Sequence, residues 1–145
     1  MNFVVIDPGK HTGITTWEDT QLVSAMVPMT FGGVGGIVHM LTRQLHHIDF
    51  AICEEFVGFS NTRDEKGAIE IIGFIKGWCE YQGIPLKMQA PAVRKGYVPF
   101  AKAYPGVEHI PADIRIHAYD SIAHALRYLH KEVKLWSPPN ATLTF

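Results

Sequence analysis

Nowhere in these 145 residues does an apolar run reach eighteen, which excludes a membrane-spanning helix on hydropathy. Cysteine is scarce: Cys53 and Cys79 are too few for a zinc cluster of their own. One falls in a strand-like run and the other in a helix-like one, so buried free thiols are expected rather than a disulfide. An excess of either charge is missing too. With 13 Lys plus Arg against 14 Asp plus Glu, the net charge of -1 gives no global pull toward nucleic acid. The segment before Asp7 (MNFVVI) is too short for the apolar region of a signal peptide, so a cytoplasmic protein is expected. The glycines at 32, 33, 35 and 36 lack the G-x-x-x-x-G-K-[ST] pattern of a phosphate-binding loop, and no internal repeat or low-complexity segment appears.

What is present suits one globular domain over residues 1–145, with 134–145 as a C-terminal tail: 47% of residues are hydrophobic and 19% charged. Residues 3–6 (FVVI) form an apolar run that stops at Asp7-Pro8-Gly9, a strand followed by a turn. Residues 13–17 and 21–27 are rich in β-formers and flank Glu18-Asp19, which predicts a hairpin and an opening of three antiparallel strands. Apolar residues at helical spacing predict a helix over 34–47, a strand at 50–53 follows, and a second helix is predicted over 64–82. Gly67, Gly73 and Gly77 weaken that second helix, and their spacing predicts close packing against a neighbour. A fifth strand is predicted at 84–89. Residues 91–112, with four prolines and two glycines, read as loop with a short helix near 93 or 100. The last helix, 113–133, carries a broad apolar stripe. The order β-β-β-α-β-α-β-α predicts an α/β fold with a mixed five-stranded sheet and helices on both faces.

Three carboxylates stand out by position. Asp7 sits where the first strand stops, Glu54 where the fourth stops, and Asp120 lies in the last helix among alanines, on a face with His117, Ser121 and His124. If strands one and four are parallel neighbours, Asp7 and Glu54 emerge side by side, and a helix across their ends brings Asp120 to them. Such an oxygen-rich cluster suits Mg2+ or Mn2+, and two ions so held would activate a water against a phosphodiester. Plainer roles stand beside this: Asp7 as a turn cap, Glu54 or Glu55 as a solvent-facing strand end, His117 and His124 as packed core histidines. His117 also fits a weak ligand, a phosphate donor or the group that orients or deprotonates water. His11, beside the first-strand loop, is a lesser phosphate candidate. His39, His46, His47 and His109 suggest no site. Lys87, Arg94, Lys95 and Lys102 fall in a stretch, 87–107, without any acidic residue, either a local phosphate-binding patch or an ordinary solvated face.

Four ordered blocks resemble the RuvC-type Holliday junction resolvases of the RNase H-like superfamily. They are Ile6-Asp7-Pro8-Gly9 with Thr12-Gly13; Ile52-Cys53-Glu54-Glu55-Phe56; Ala90-Pro91-Ala92-Val93-Arg94-Lys95 with Lys102; and His117-Ala118-Tyr119-Asp120-Ser121-Ile122-Ala123. The resemblance implies an RNase H-like fold. It also implies a crossover junction endodeoxyribonuclease, acting as a homodimer on branched DNA and leaving 5′-phosphate and 3′-hydroxyl ends. It casts Asp7, Glu54 and Asp120 as ligands of two Mg2+ or Mn2+ ions, with His117 where bacterial members often have another aspartate. Arg94, Lys95 and Lys102 fall in its DNA-binding region, and Phe56 and Phe59 are candidates for its junction wedge, or for core. The compact length resembles a phage member acting in a bacterial or phage-infected cell. The helix over 64–82, whose apolar residues exceed one narrow stripe, is the candidate dimer surface, with a core-only role as the alternative. Alternatives within the same fold are a nuclease of flaps, Y-forks or single strands, and a non-catalytic DNA-binding module.

Overall fold

The computed structural model describes residues 1–28, 47–56 and 63–139. The helix expected over 34–47, and Phe59, lie outside these described residues apart from position 47. β1 (Asn2–Asp7), β2 (Gly13–Glu18) and β3 (Gln21–Met26) form the expected meander, β1/β2 and β2/β3 being antiparallel. β4 (Phe50–Glu54) and β5 (Leu86–Gln89) add to the other side of β1 in parallel, giving one sheet in the order β3-β2-β1-β4-β5. β5 is shorter than its sequence suggests, because Pro85 cannot donate to a ladder; its carbonyl instead accepts from the Ala51 amide.

α1 (Arg63–Gln82) connects β4 to β5. A 3-10 turn (Pro91–Arg94), the short α2 (Val98–Ala101) and α3 (Arg115–Lys131) follow. Strand alternation divides the core in two. Phe3, Val5, Trp17, Phe50 and Ile52 face α3, while Val4, Ile6, Ile14, Ala51 and Cys53 face α1. Helices therefore cover both faces, and the sheet's central strands read as continuous apolar runs because both sides are buried. Cys53 and Cys79 are buried free thiols on the α1 side. Burial raises both thiol pKa values, Cys79 to about 11, so each stays protonated.

Close helix packing was expected at Gly67, Gly73 and Gly77, but among the described residues a Cβ at any of them meets nothing within 4 Å. The tight approach is at Gly13, on the other face. Residues after α3 do not simply trail away: the Trp136 ring packs edge-on against Phe100 at 5.8 Å and lies 6.3 Å from Tyr97.

Candidate active site

Parallel pairing of β1 and β4 runs through Ile6↔Cys53, so the next residues, Asp7 and Glu54, leave the sheet side by side. Both continue the alternation of Val5 and Ile52 and so face α3; Glu55, one residue on, is exposed and takes the opposite phase. This selects Glu54 over Glu55 by geometry alone.

Asp7 pairs across β2 with Gly13, and that glycine sets the height of α3. A Cβ there would lie 1.9 Å from the carbonyl oxygen of His117 and 2.5 Å from its carbonyl carbon. With no side chain at 13, the first turn of α3 rests on strand backbone. One turn on, Ser121 bolts the helix down. Trp17 Nε1–H donates to Thr15 Oγ1 (2.9 Å), Thr15 to Ser121 Oγ (2.8 Å), and Ser121 to the Val5 carbonyl (2.9 Å). Every member of this buried chain is satisfied, so it fixes the rotation of α3 without an orphaned group.

Held this way, α3 presents Asp120 and His117 to the end of β1. Ligand atoms of Asp7, His117 and Asp120 all lie within 4.8 Å of one another. Asp7 is 6% exposed, and burial, reinforced by the charges of Glu54 and Asp120, pushes its carboxyl up to about 8. Burial also raises Asp120, with Arg94 opposing and Glu54 reinforcing. Burial would raise Glu54 as well, but the His124 hydrogen bond and the Arg94 charge outweigh it and hold that carboxyl below its usual value. His117 is held below its ordinary value by burial and by the charge of His11, whose ring lies 5.5 Å away. Crowded carboxylates with one partly protonated partner are a donor set that a cation stabilises. Two aspartates suit Mg2+ or Mn2+, and the imidazole adds a softer donor.

Arg94 does not point away as a surface phosphate contact would. Its Nη1 donates to Glu54 Oε2 and its Nε lies 3.3 Å from Asp120 Oδ1, so it bridges the carboxylates inside the site. The segment 91–94 achieves this because Pro91 opens the 3-10 turn directly off β5. Lys95 and Lys102 are exposed at the ends of the 3-10 turn and α2. Lys87 is tied to Glu132 at 3.7 Å. Phe56 packs against the α1-side core. His109 takes a structural bond to the Ala25 carbonyl (2.8 Å), and exposed His47 lies 3.1 Å from Asp49.

His124 has a larger part than its sequence context suggested. Its ring is fully buried, with Nε2 2.7 Å from Glu54 Oε2 and Nδ1 2.7 Å from the Gln89 side-chain amide. Sequence reasoning missed Gln89. Its phase gave little signal, since it shares a face of β5 with exposed Lys87; only the pairing of Gln89 with Glu54 across the β4/β5 ladder brings it to the site.

No family model and no curated protein matches this chain. Among solved structures it is similar to Thermus thermophilus RuvC in complex with a Holliday junction substrate, with a TM-score of 0.65 at 19% identity, covering 88% of this chain and 92% of that one. The same organism's RuvC structure gives 0.65 at 17% identity over 90% and 96%. The fowlpox virus Holliday junction resolvase gives 0.56 at 18% identity over 90% and 99%. The shared architecture is the RNase H-like α/β fold, with its mixed sheet and covering helices.

Proposed function

We propose that this protein is a metal-dependent endodeoxyribonuclease that resolves four-way DNA junctions as a homodimer, hydrolysing phosphodiesters to 5′-phosphate and 3′-hydroxyl ends. One observation carries the reading: Asp7, His117 and Asp120 converge within 4.8 Å where two parallel strands end beneath a helix. The fold shared with junction-resolving proteins supports it. Asp7, Glu54 and Asp120 would hold two Mg2+ or Mn2+ ions, with His117 beside them. Such ions, when bound, supply Lewis acidity to the phosphoryl group and ease ionisation of the attacking water.

The chain's own groups do the rest. His117, neutral at pH 7 because its pKa lies below the ordinary value, accepts the proton of the water as it attacks. Asp7 and Asp120 fix the His117 ring's surroundings and set the negative field in which a cation is retained. Arg94 neutralises Glu54 and Asp120 from the substrate side and offers its guanidinium to a phosphate oxygen. Exposed Lys95 and Lys102 steer the DNA backbone, and Phe59 rather than the core-packed Phe56 stacks at the branch. A twofold junction is matched by a twofold protein, with α1 as the dimer surface. Its setting would be the cytoplasm of a bacterial or phage-infected cell.

The test is Mg2+-dependent cleavage of an end-labelled four-way junction beside a linear duplex of the same sequence, with Asp120→Asn as control. Paired cuts near the branch, absent from duplex and variant, are expected. Preference for flaps or Y-forks would replace the junction substrate, and tight junction binding with no cutting in Mg2+ or Mn2+ would leave a binding module of the same fold.

A further inference from the structure

We infer that Gln89 and His124 form a buried positioning arm that aims the Glu54 carboxylate, and that this arm, rather than the strand end alone, makes Glu54 usable in the site. Its activity arm rests on the nuclease reading above; its geometric arm does not.

A helix facing a sheet ordinarily buries apolar side chains. Position 124 lies on the inward stripe of α3 between Ala123 and Ala125, all three fully buried, where an aliphatic side chain is the inexpensive choice. A histidine there must satisfy two ring nitrogens, and it does so in opposite directions: Nε2 to Glu54 Oε2 and Nδ1 to the amide of Gln89, each at 2.7 Å. Gln89 is itself 6% exposed. Among the described residues its amide nitrogen has no partner when the amide oxygen is toward Nδ1. Half a turn of the amide exchanges the two atoms. The amide N–H then donates to Nδ1 and the ring donates Nε2–H to the carboxylate, so both ring nitrogens are matched. Three elements that share no sequence neighbourhood, β5, α3 and β4, are thereby joined in one line of hydrogen bonds.

The consequence falls on Glu54. His124 and Arg94 both meet Glu54 at Oε2. The carboxylate is pinned through that oxygen at the strand end beside Asp7. Partners that orient a ligating group without touching the ion typically contribute about 10–100-fold to metal affinity or activity. Leu at 124 would fill a similar volume but leave the Gln89 amide and Glu54 Oε2 without this partner, and removing one member of a buried polar set destabilises, so the arm's contribution is read on the folded protein rather than from stability.

The experiment compares His124→Leu, His124→Gln, Gln89→Met and Gln89→Glu with the parent in three measurements. Thermal unfolding should show His124→Leu folded but with a lowered Tm, because Gln89 and Glu54 lose a buried partner. Mn2+ binding by titration calorimetry, and junction cleavage, should each fall about 10–100-fold in His124→Leu and Gln89→Met, recover in His124→Gln, which keeps a donor and an acceptor, and stay low in Gln89→Glu, which has no N–H for Nδ1. Parent-like Mn2+ affinity and cleavage in a folded His124→Leu would overturn the inference. If the parent neither binds Mn2+ nor cuts, the nuclease reading fails, and the arm is judged by nitrogen-edited NMR alone. A slowly exchanging ring N–H of His124 should then shift in both Gln89→Met and Glu54→Gln, and a signal indifferent to both substitutions overturns it.

Discussion

The two faces of this sheet are built to different rules. On the α1 side, Ile71, Ile72, Ile75 and Cys79 fill the space over Val4, Ile6, Ala51 and Cys53 with apolar bulk. On the α3 side the helix brings Ala118, Ser121, Ala125 and a histidine against the strands, and it is seated by hydrogen bonds and a bare glycine as much as by volume. Bulk keeps a helix at arm's length; small residues let its backbone approach. Only the second arrangement can set a helical aspartate beside two strand-end carboxylates, which is why all the candidate chemistry collects on one face.

The comparison is broken most severely at the site itself. Asp7→Asn should reduce Mg2+-dependent cleavage to background while junction binding in a mobility-shift assay persists; retained turnover would show that the α3 face is not where cutting occurs. The same carboxylate sets a pH signature in the metal-free protein. Its folded pKa of about 8 exceeds the unfolded carboxyl value, so the native state binds the extra proton and stability falls as pH rises toward 8. His117, lowered, acts in the opposite sense but only below its ordinary value near 6.5, and Glu54, also lowered, matters only below 4.5. Asp120, also raised, acts in the same sense as Asp7, and the raised Met1 amine enters only near pH 8, so between about pH 6.5 and 8 Asp7 contributes the largest share of the decline. Urea unfolding across that window should show it, and Asp7→Asn should flatten it.

Next in size is Gly13→Ala. One methyl group driven into the His117 carbonyl must lift α3, with an overpacking cost of about 1–3 kcal/mol and loss of cleavage out of proportion to that stability. Parent-like cleavage would mean that α3 tolerates the shift. The smallest effect on the site is expected from the other face. Ile75→Ala, fully buried under α1, should cost about 2–5 kcal/mol of stability by denaturant titration, yet leave cleavage by the folded fraction unchanged. A matching loss of activity would show that the two faces are mechanically coupled.

Much of this was legible beforehand, for identifiable reasons. A buried parallel strand is a continuous apolar run, so its first carboxylate marks where it leaves the core; Asp7 and Glu54 were visible for that reason. Asp120 was visible because a carboxylate among alanines on an inward helical face has no surface explanation. Arg94 was assigned to phosphate contact, but its reach into the site depends on the 3-10 turn folding back from β5, which composition does not encode. Glycine spacing pointed to α1 as the tightly packed helix, whereas the close approach is made by Gly13, a strand residue whose partner lies over a hundred positions away in sequence.

By itself, then, the sequence determined the alternation of two-sided strands, the meander followed by crossovers, and the residue types able to hold a hard cation, because these follow from local periodicity and from side-chain chemistry. Tertiary structure alone decided that Asp7, His117 and Asp120 share one space, that Arg94 and His124 converge on the same oxygen of Glu54, and that Gln89 matters at all. Those are distances between elements remote in the chain. They are set by how closely a helix can sit on a sheet, a quantity that no single segment contains.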